Sequence, residues 1–284
     1  MQVSPLNPAD HASAAADFIR FFGITGERQS LPHVTSILQH FARLPYENIS
    51  KIINLNQNFD RPPYRLPDMI LDDHERYRLG GTCFALTFFL KSILDHFDYQ
   101  TEIIMADMRS GKNTHCALIL SFAATEYLID PGYLLHRPLS LASREPVQVQ
   151  KNSWVALRYD PVGKRYTLQT IKNQRSTQRY HFVHKSTSLS DFQQHWDQSF
   201  HWMTMHGICL SRRDAEGFIY LHNHYLRQES GHEQFKGRFN EDIDTVVARH
   251  FGIPREIIRR AETALRENMH YDKELGFRVP QWVK

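Results

Sequence analysis

The chain has 284 residues, 41% of them hydrophobic, 12% aromatic and 23% charged, a composition that can bury a sizeable core and excludes a disordered or low-complexity protein. Its 34 basic and 31 acidic residues leave a formal charge of only +3, and the basic residues are scattered, so the electrostatic footprint of a nucleic-acid-binding protein is missing. No run of about 18 or more apolar residues occurs, so no membrane span is expected. The stretch from Met1 to His11 is polar, carries two prolines and has neither part of a secretory signal. Three cysteines, Cys83, Cys116 and Cys209, are too few and too irregularly spaced for a disulfide framework. A reducing cytoplasmic location follows as the expectation, and there a thiol stays available for chemistry.

In chain order, residues 12–22 predict a helix with Phe18, Ile19 and Phe22 on one face. A second helix starts near Pro32, carries Val34, Ile37, Leu38 and Phe41 at helical spacing, and is ended by Pro45. Residues 54–67 are polar, hold three prolines and read as an irregular connection. Residues 83–97 are apolar almost all round, which predicts a buried helix. Short strands follow at 101–105, 115–122, 126–130, 154–159, 166–171 and 179–184, with a turn signal at Asp160 to Gly163. Residues 188–200 predict a helix capped by Ser190, and 208–210 and 218–226 predict strands. A helix capped by Asn240 stops at Gly252, and a last one runs from Pro254 to about Asn268. Helices, then strands, then a mixed end indicate an α+β protein with segregated layers. The parts are a helical region at 1–98, a β region at 99–205 and a mixed region at 206–284.

The sharpest local feature is Leu79-Gly80-Gly81-Thr82-Cys83. Two glycines permit unusual torsions and a close approach to the main chain. Cys83 then opens the buried helix, where the dipole and open N–H groups favour a thiolate and suit an oxyanion beside it. The same motif also fits a glycine turn before a helix with Cys83 as a small buried apolar residue. His115 begins an apolar strand and shares a face with Ala117 and Ile119, so Cys116 points the other way, into core. Asp130 ends the next strand, where it suits either an imidazole partner or a local turn. The spacing of His115 and Asp130 fits two adjacent antiparallel strands joined by a short turn. His181 with His184, and His222 with His224, lack the Cys or carboxylate that would complete a metal site, so no metal is expected.

Taken together and in order, these features resemble the arylamine N-acetyltransferase family. That family carries an Arg-Gly-Gly-x-Cys stretch, a histidine at a strand start and an Asp-Val-Gly-Phe-Gly turn. Here the matching stretches are Gly80-Gly81-Thr82-Cys83, His115 and Asp130-Pro131-Gly132-Tyr133. Pro45-Tyr46-Glu47-Asn48 looks like its Pro-Phe-Glu-Asn segment, and Pro138-Leu139 and the region from Gly217 to Pro254 also fit. The resemblance implies an N-terminal helical bundle carrying the nucleophile, a central antiparallel β-barrel carrying His and Asp, and a C-terminal α/β lid, with a cysteine-proteinase-like triad. It implies a catalytic triad of Cys83, His115 and Asp130, and ping-pong transfer of an acetyl group from acetyl-CoA to an arylamine or hydrazine. No cofactor is bound permanently, and acetyl-CoA or another acyl thioester is the co-substrate. Gly111, in a Ser-Gly-Lys loop, corresponds to a loop near the CoA pocket.

The sequence also departs from the family. Leu79 stands in place of its Arg, Ala85 and Thr87 in place of the Glu and Asn after the cysteine, and Pro131, Tyr133 and Leu134 in place of Val, Phe and the last Gly of the turn. These changes point toward a second option within the same fold, an amide synthase or acyltransferase using a larger or carrier-protein-bound thioester. A third option, from another class, is an inactive relative that binds a ligand or partner. A hydrolytic cysteine peptidase is a fourth.

Overall fold

The computed structural model of the chain describes residues 6–58, 63–150, 153–213, 217–230 and 233–280. Helix α1 (Ala12–Phe22) ends at Gly23 with φ 61°, and the Ser30 side chain caps α2 (Leu31–Phe41) by accepting the His33 N–H at 3.2 Å. A short strand β1 (Tyr46–Glu47) leads into α3 (Ile49–Gln57), and α4 (Pro67–Tyr77) follows. Two helices thus flank and partly replace the irregular connection expected at 54–67, of which 59–62 lie outside the described residues. Helix α3 escapes a reading by periodicity because polar Ser50 and Lys51 are buried along with Ile49, Ile52 and Ile53. Helix α5 (Cys83–His96) begins on the cysteine itself.

The strands β2 (Gln100–Met108), β3 (Gly111–Phe122), β4 (Thr125–Ile129), β5 (Leu139–Ser140), β6 (Val147–Gln150), β7 (Ser153–Asp160), β8 (Arg165–Lys172) and β9 (Arg175–Phe182) form one antiparallel sheet. Their order is β5-β4-β3-β2-β9-β8-β7-β6, nearly closed and barrel-like. Alternation along the strands sends Ile104, Ala117, Ile119, Leu128, Leu168 and Tyr180 into one apolar cluster. Cys116, facing the other way, is fully buried and its Sγ meets Thr87 Oγ1 at 3.5 Å, as the strand-face argument requires.

Helix α6 (Leu189–Gln198) is capped by Ser188, whose Oγ accepts the Asp191 N–H at 3.0 Å, and not by Ser190. The strands β10 (Cys209–Arg213), β11 (Gly217–His222), β12 (Tyr225–Ser230) and β13 (Glu233–Arg238) join β1 in a second antiparallel sheet, ordered β1-β10-β11-β12-β13. The single strand expected at 218–226 is a hairpin, in which His222 pairs with Tyr225 around Asn223 at φ 50°. His222 and His224 therefore flank a turn instead of sharing a strand face. Helix α7 (Ile243–Phe251) starts after Asp242, later than Asn240 would have it, and stops at Gly252 with φ 72° as expected. Helix α8 (Arg255–Glu274) starts after Pro254 and runs beyond Asn268.

The chain is α+β, with N-terminal helices, a central antiparallel barrel-like sheet and a C-terminal α/β portion. Backbone contacts divide it into two compact units, 1–42 with 86–195 and 43–85 with 196–284. In the first, the rings of Phe18, Phe41 and Phe89 meet at 5.5–5.6 Å between α1, α2 and α5. In the second, α8 packs on α3, and Asn268 Nδ2 donates to the Ile52 carbonyl at 2.9 Å.

Candidate active site

Within the first unit, β3 and β4 are adjacent antiparallel strands with Ile119 opposite Leu128. This register brings His115 and Asp130 together. The His115 Nε2–H donates to Asp130 Oδ2 at 2.8 Å, with His115 3% exposed and Asp130 fully buried. A carboxylate can only accept, so this bond fixes the hydrogen on Nε2 and leaves the basic lone pair on Nδ1. Two more donors hold the carboxylate. Tyr180 Oη–H reaches Oδ2 at 2.5 Å, and the Tyr133 N–H reaches Oδ1 at 3.0 Å. Burial, and then the negative charge of Asp130, push the Tyr180 phenol well above its ordinary range, so it stays protonated and donates. The rings of Tyr133 and Tyr180 stand 5.3 and 4.7 Å from the imidazole and enclose it.

The turn after Asp130 keeps a glycine-like backbone without the glycine. Leu134 sits at φ 53° and its N–H donates to the Pro131 carbonyl at 3.1 Å. A left-handed leucine costs roughly 1–2 kcal/mol, and burying its side chain to 2% exposure offsets that.

Within the second unit, the loop before Cys83 is held by its backbone. A Cβ on Gly80 would stand 1.9 Å from the Pro45 carbonyl oxygen, so only glycine fits. The Gly81 N–H donates to that oxygen at 3.3 Å, and the Glu47 N–H donates to the Gly81 carbonyl at 3.0 Å. The Pro45-Tyr46-Glu47-Asn48 segment is thereby a template for the loop. Its own position is fixed by Asn48, whose Oδ1 accepts the Cys209 N–H at 2.8 Å and whose Nδ2 donates to the Gly207 carbonyl at 2.7 Å. Two side chains complete the clamp. His74 Nδ1–H donates to the Leu79 carbonyl at 3.0 Å and Arg65 Nε–H to the Gly80 carbonyl at 2.7 Å. Burial lowers the His74 imidazole to about 4, so it acts as a neutral donor near pH 7. Cys83, 7% exposed, follows as the first residue of α5, where backbone N–H groups have no partner within the helix.

The other predicted residues separate from these. Gly111 closes the β2–β3 hairpin opposite Met108 at φ 154°, a conformation that by itself calls for glycine. Burial pushes the Cys209 thiol up to about 11, which makes it a poor nucleophile. His181 and His184 take separate carboxylate partners, Asp107 at 3.4 Å and Glu126 at 3.3 Å. Among the described residues no group of three or more His, Cys, Asp or Glu side chains is placed to hold a metal ion, and no helix is long and apolar enough to cross a membrane. Sequence reasoning missed Tyr180 and Arg65. Neither has a local signal, since Tyr180 lies 50 residues from its partner and Arg65 sits among prolines.

A family model for N-acetyltransferase matches residues 30–258, which places the chain among the acetyltransferases. The chain is a divergent member of the arylamine N-acetyltransferase family. Its fold is similar to that of the arylamine N-acetyltransferase from Mycobacterium abscessus, at a TM-score of 0.75 and 15% identity over 90% of this chain and 97% of that one. The enzyme from Salmonella typhimurium matches at 0.71 and 15%, covering 89% and 98%, and that from Nocardia farcinica at 0.71 and 17%, covering 92% and 98%. No curated protein matches the sequence.

Proposed function

We propose that this acetyltransferase works through an acyl-enzyme on Cys83, with His115 and Asp130 as the other members of its triad. The observation that carries the reading is the buried His115–Asp130 pair, whose carboxylate is fixed by Tyr180 and by the Tyr133 N–H. Such a pair sets the tautomer an imidazole needs in order to take a thiol proton at Nδ1. The Cys83 thiolate attacks the carbonyl carbon of an acyl-CoA, the C–S bond to CoA breaks, and the CoA thiolate leaves with a proton from the imidazolium. An amine then attacks the acyl-thioester, His115 takes the ammonium proton, and the Cys83 thiolate is expelled as the amide forms. Amino groups of small aromatic amines or hydrazines are the proposed acceptors, and the hairpin at Gly111 is proposed to border the CoA.

Intact mass spectrometry after mixing with acetyl-CoA and with longer acyl thioesters tests this. One acyl group on the wild type and none on Cys83→Ser is the expected result. No adduct from any donor, or an adduct that persists in Cys83→Ser, overturns the reading.

A further inference from the structure

Arg65 has no part in the chemistry described so far, yet it is the most committed side chain around the loop that delivers Cys83. It is 3% exposed. Its Nε–H holds the Gly80 carbonyl at 2.7 Å and its Nη1 holds Asp73 Oδ2 at 2.6 Å, while buried Nη2 finds no partner among the described residues. Burying a guanidinium with one donor unsatisfied is costly, so stability alone does not account for the arrangement. A fork spanning a carboxylate and a main-chain carbonyl fixes direction as well as distance. The Leu79 side chain cannot serve here, being apolar and buried. The Gly80 peptide is also the point of tightest approach to Pro45, so a shift at this carbonyl would be passed through Gly81 and Thr82 to Cys83.

We propose that Arg65 is a positioning residue for the nucleophile, acting through the Gly80 carbonyl with Asp73 as its anchor. The inference rests on Cys83 being the acylated residue. Removing the fork lets the loop relax, so the sulfur loses its aim at the donor carbonyl and its place against the open N–H groups of α5. Donor affinity, set elsewhere, stays.

The test uses Arg65→Lys and Arg65→Met in the full chain, each first checked for native near-ultraviolet circular dichroism, with Asp73→Asn as a milder break. Single-turnover acylation by acetyl-CoA should slow about thirtyfold in either Arg65 variant, with the donor KM within about threefold of wild type. The pH midpoint of iodoacetamide alkylation of Cys83 should rise by about one unit. Lysine should fail to rescue, because a point-like ammonium on a flexible stem does not reproduce the planar fork, and Asp73→Asn should lose less than either. A folded Arg65→Lys with wild-type acylation and an unmoved alkylation profile overturns the inference alone. If wild-type Cys83 is itself unreactive toward acyl donors, the nucleophile assignment fails and takes this inference with it. Should Arg65→Met not fold, Arg65→Lys and Asp73→Asn still decide the matter by the same two readouts.

Discussion

The carboxylate of Asp130 is held by side chains and one N–H from three elements, with Tyr180, His115 and the Tyr133 amide converging on two oxygens. The loop before Cys83 is held through its own main chain, with the carbonyls of Leu79, Gly80 and Gly81 taken by His74, Arg65 and the Glu47 N–H. The first mode fixes charge and tautomer and is sensitive to the chemistry of single groups. The second fixes a path for the chain and is sensitive to volume and to the brace behind each carbonyl. Substitutions that damage the two regions should therefore do so differently, one in turnover at constant stability and the other in both together.

Asp130→Asn gives the largest effect. The amide cannot impose the same imidazole tautomer, so kcat should fall by about 10³–10⁴-fold while the melting temperature changes little; steady-state assays beside thermal melts check the separation. Gly80→Ala breaks the other side. Its methyl group meets the Pro45 carbonyl oxygen at 1.9 Å, so it should cost about 3 kcal/mol or more in urea unfolding and lower turnover as well.

The loop also carries a brace that can protonate. His74 is depressed from 6.5 to about 4 by burial. Between those values the unfolded chain binds a proton that the folded one refuses, so stability falls as pH falls from about 6.5 to about 4, by up to about 3 kcal/mol. Urea unfolding at pH 7 and pH 4.5 should show the loss. His74→Asn, which keeps a donor for Leu79 but does not titrate, should flatten it. The smallest of these effects is Tyr180→Phe. Losing one hydrogen bond to a charged oxygen, worth about 1.5–3 kcal/mol, should lower kcat roughly tenfold or somewhat more, with the acetyl-CoA KM unmoved. A loss of stability matching the loss in kcat would place Tyr180 with the loop type of support instead.

The same contrast explains what the sequence made readable. His115 and Asp130 could be paired on paper because they lie on neighbouring strands joined by a short turn, and strand alternation placed Cys116 correctly in the core. The apolar run at α5 and the glycine stop at Gly252 were legible from local pattern alone. Tyr180 was not, because β9 reaches β2 only through pairing between distant segments. Helix α3 was hidden by tertiary burial of its polar residues, and the β11–β12 hairpin by a turn at Asn223 that lacks a glycine. Arg65 stood in a proline-rich polar stretch, and nothing in that stretch announces that its guanidinium is buried against Gly80.

An activated Cys83 thiol partnered by His115 has a pH signature of its own. The rate of iodoacetamide alkylation of Cys83 as a function of pH, compared between wild type and His115→Gln, tests it most directly. An ordinary thiol titrates at about 8.5, and a histidine partner at a helix start lowers this by units. The wild type should therefore stay reactive well below pH 7, and in His115→Gln that low-pH reactivity should be lost as the whole profile shifts to higher pH, the apparent values belonging to the coupled pair. A wild-type profile that follows an ordinary thiol and is unchanged by His115→Gln would contradict the account.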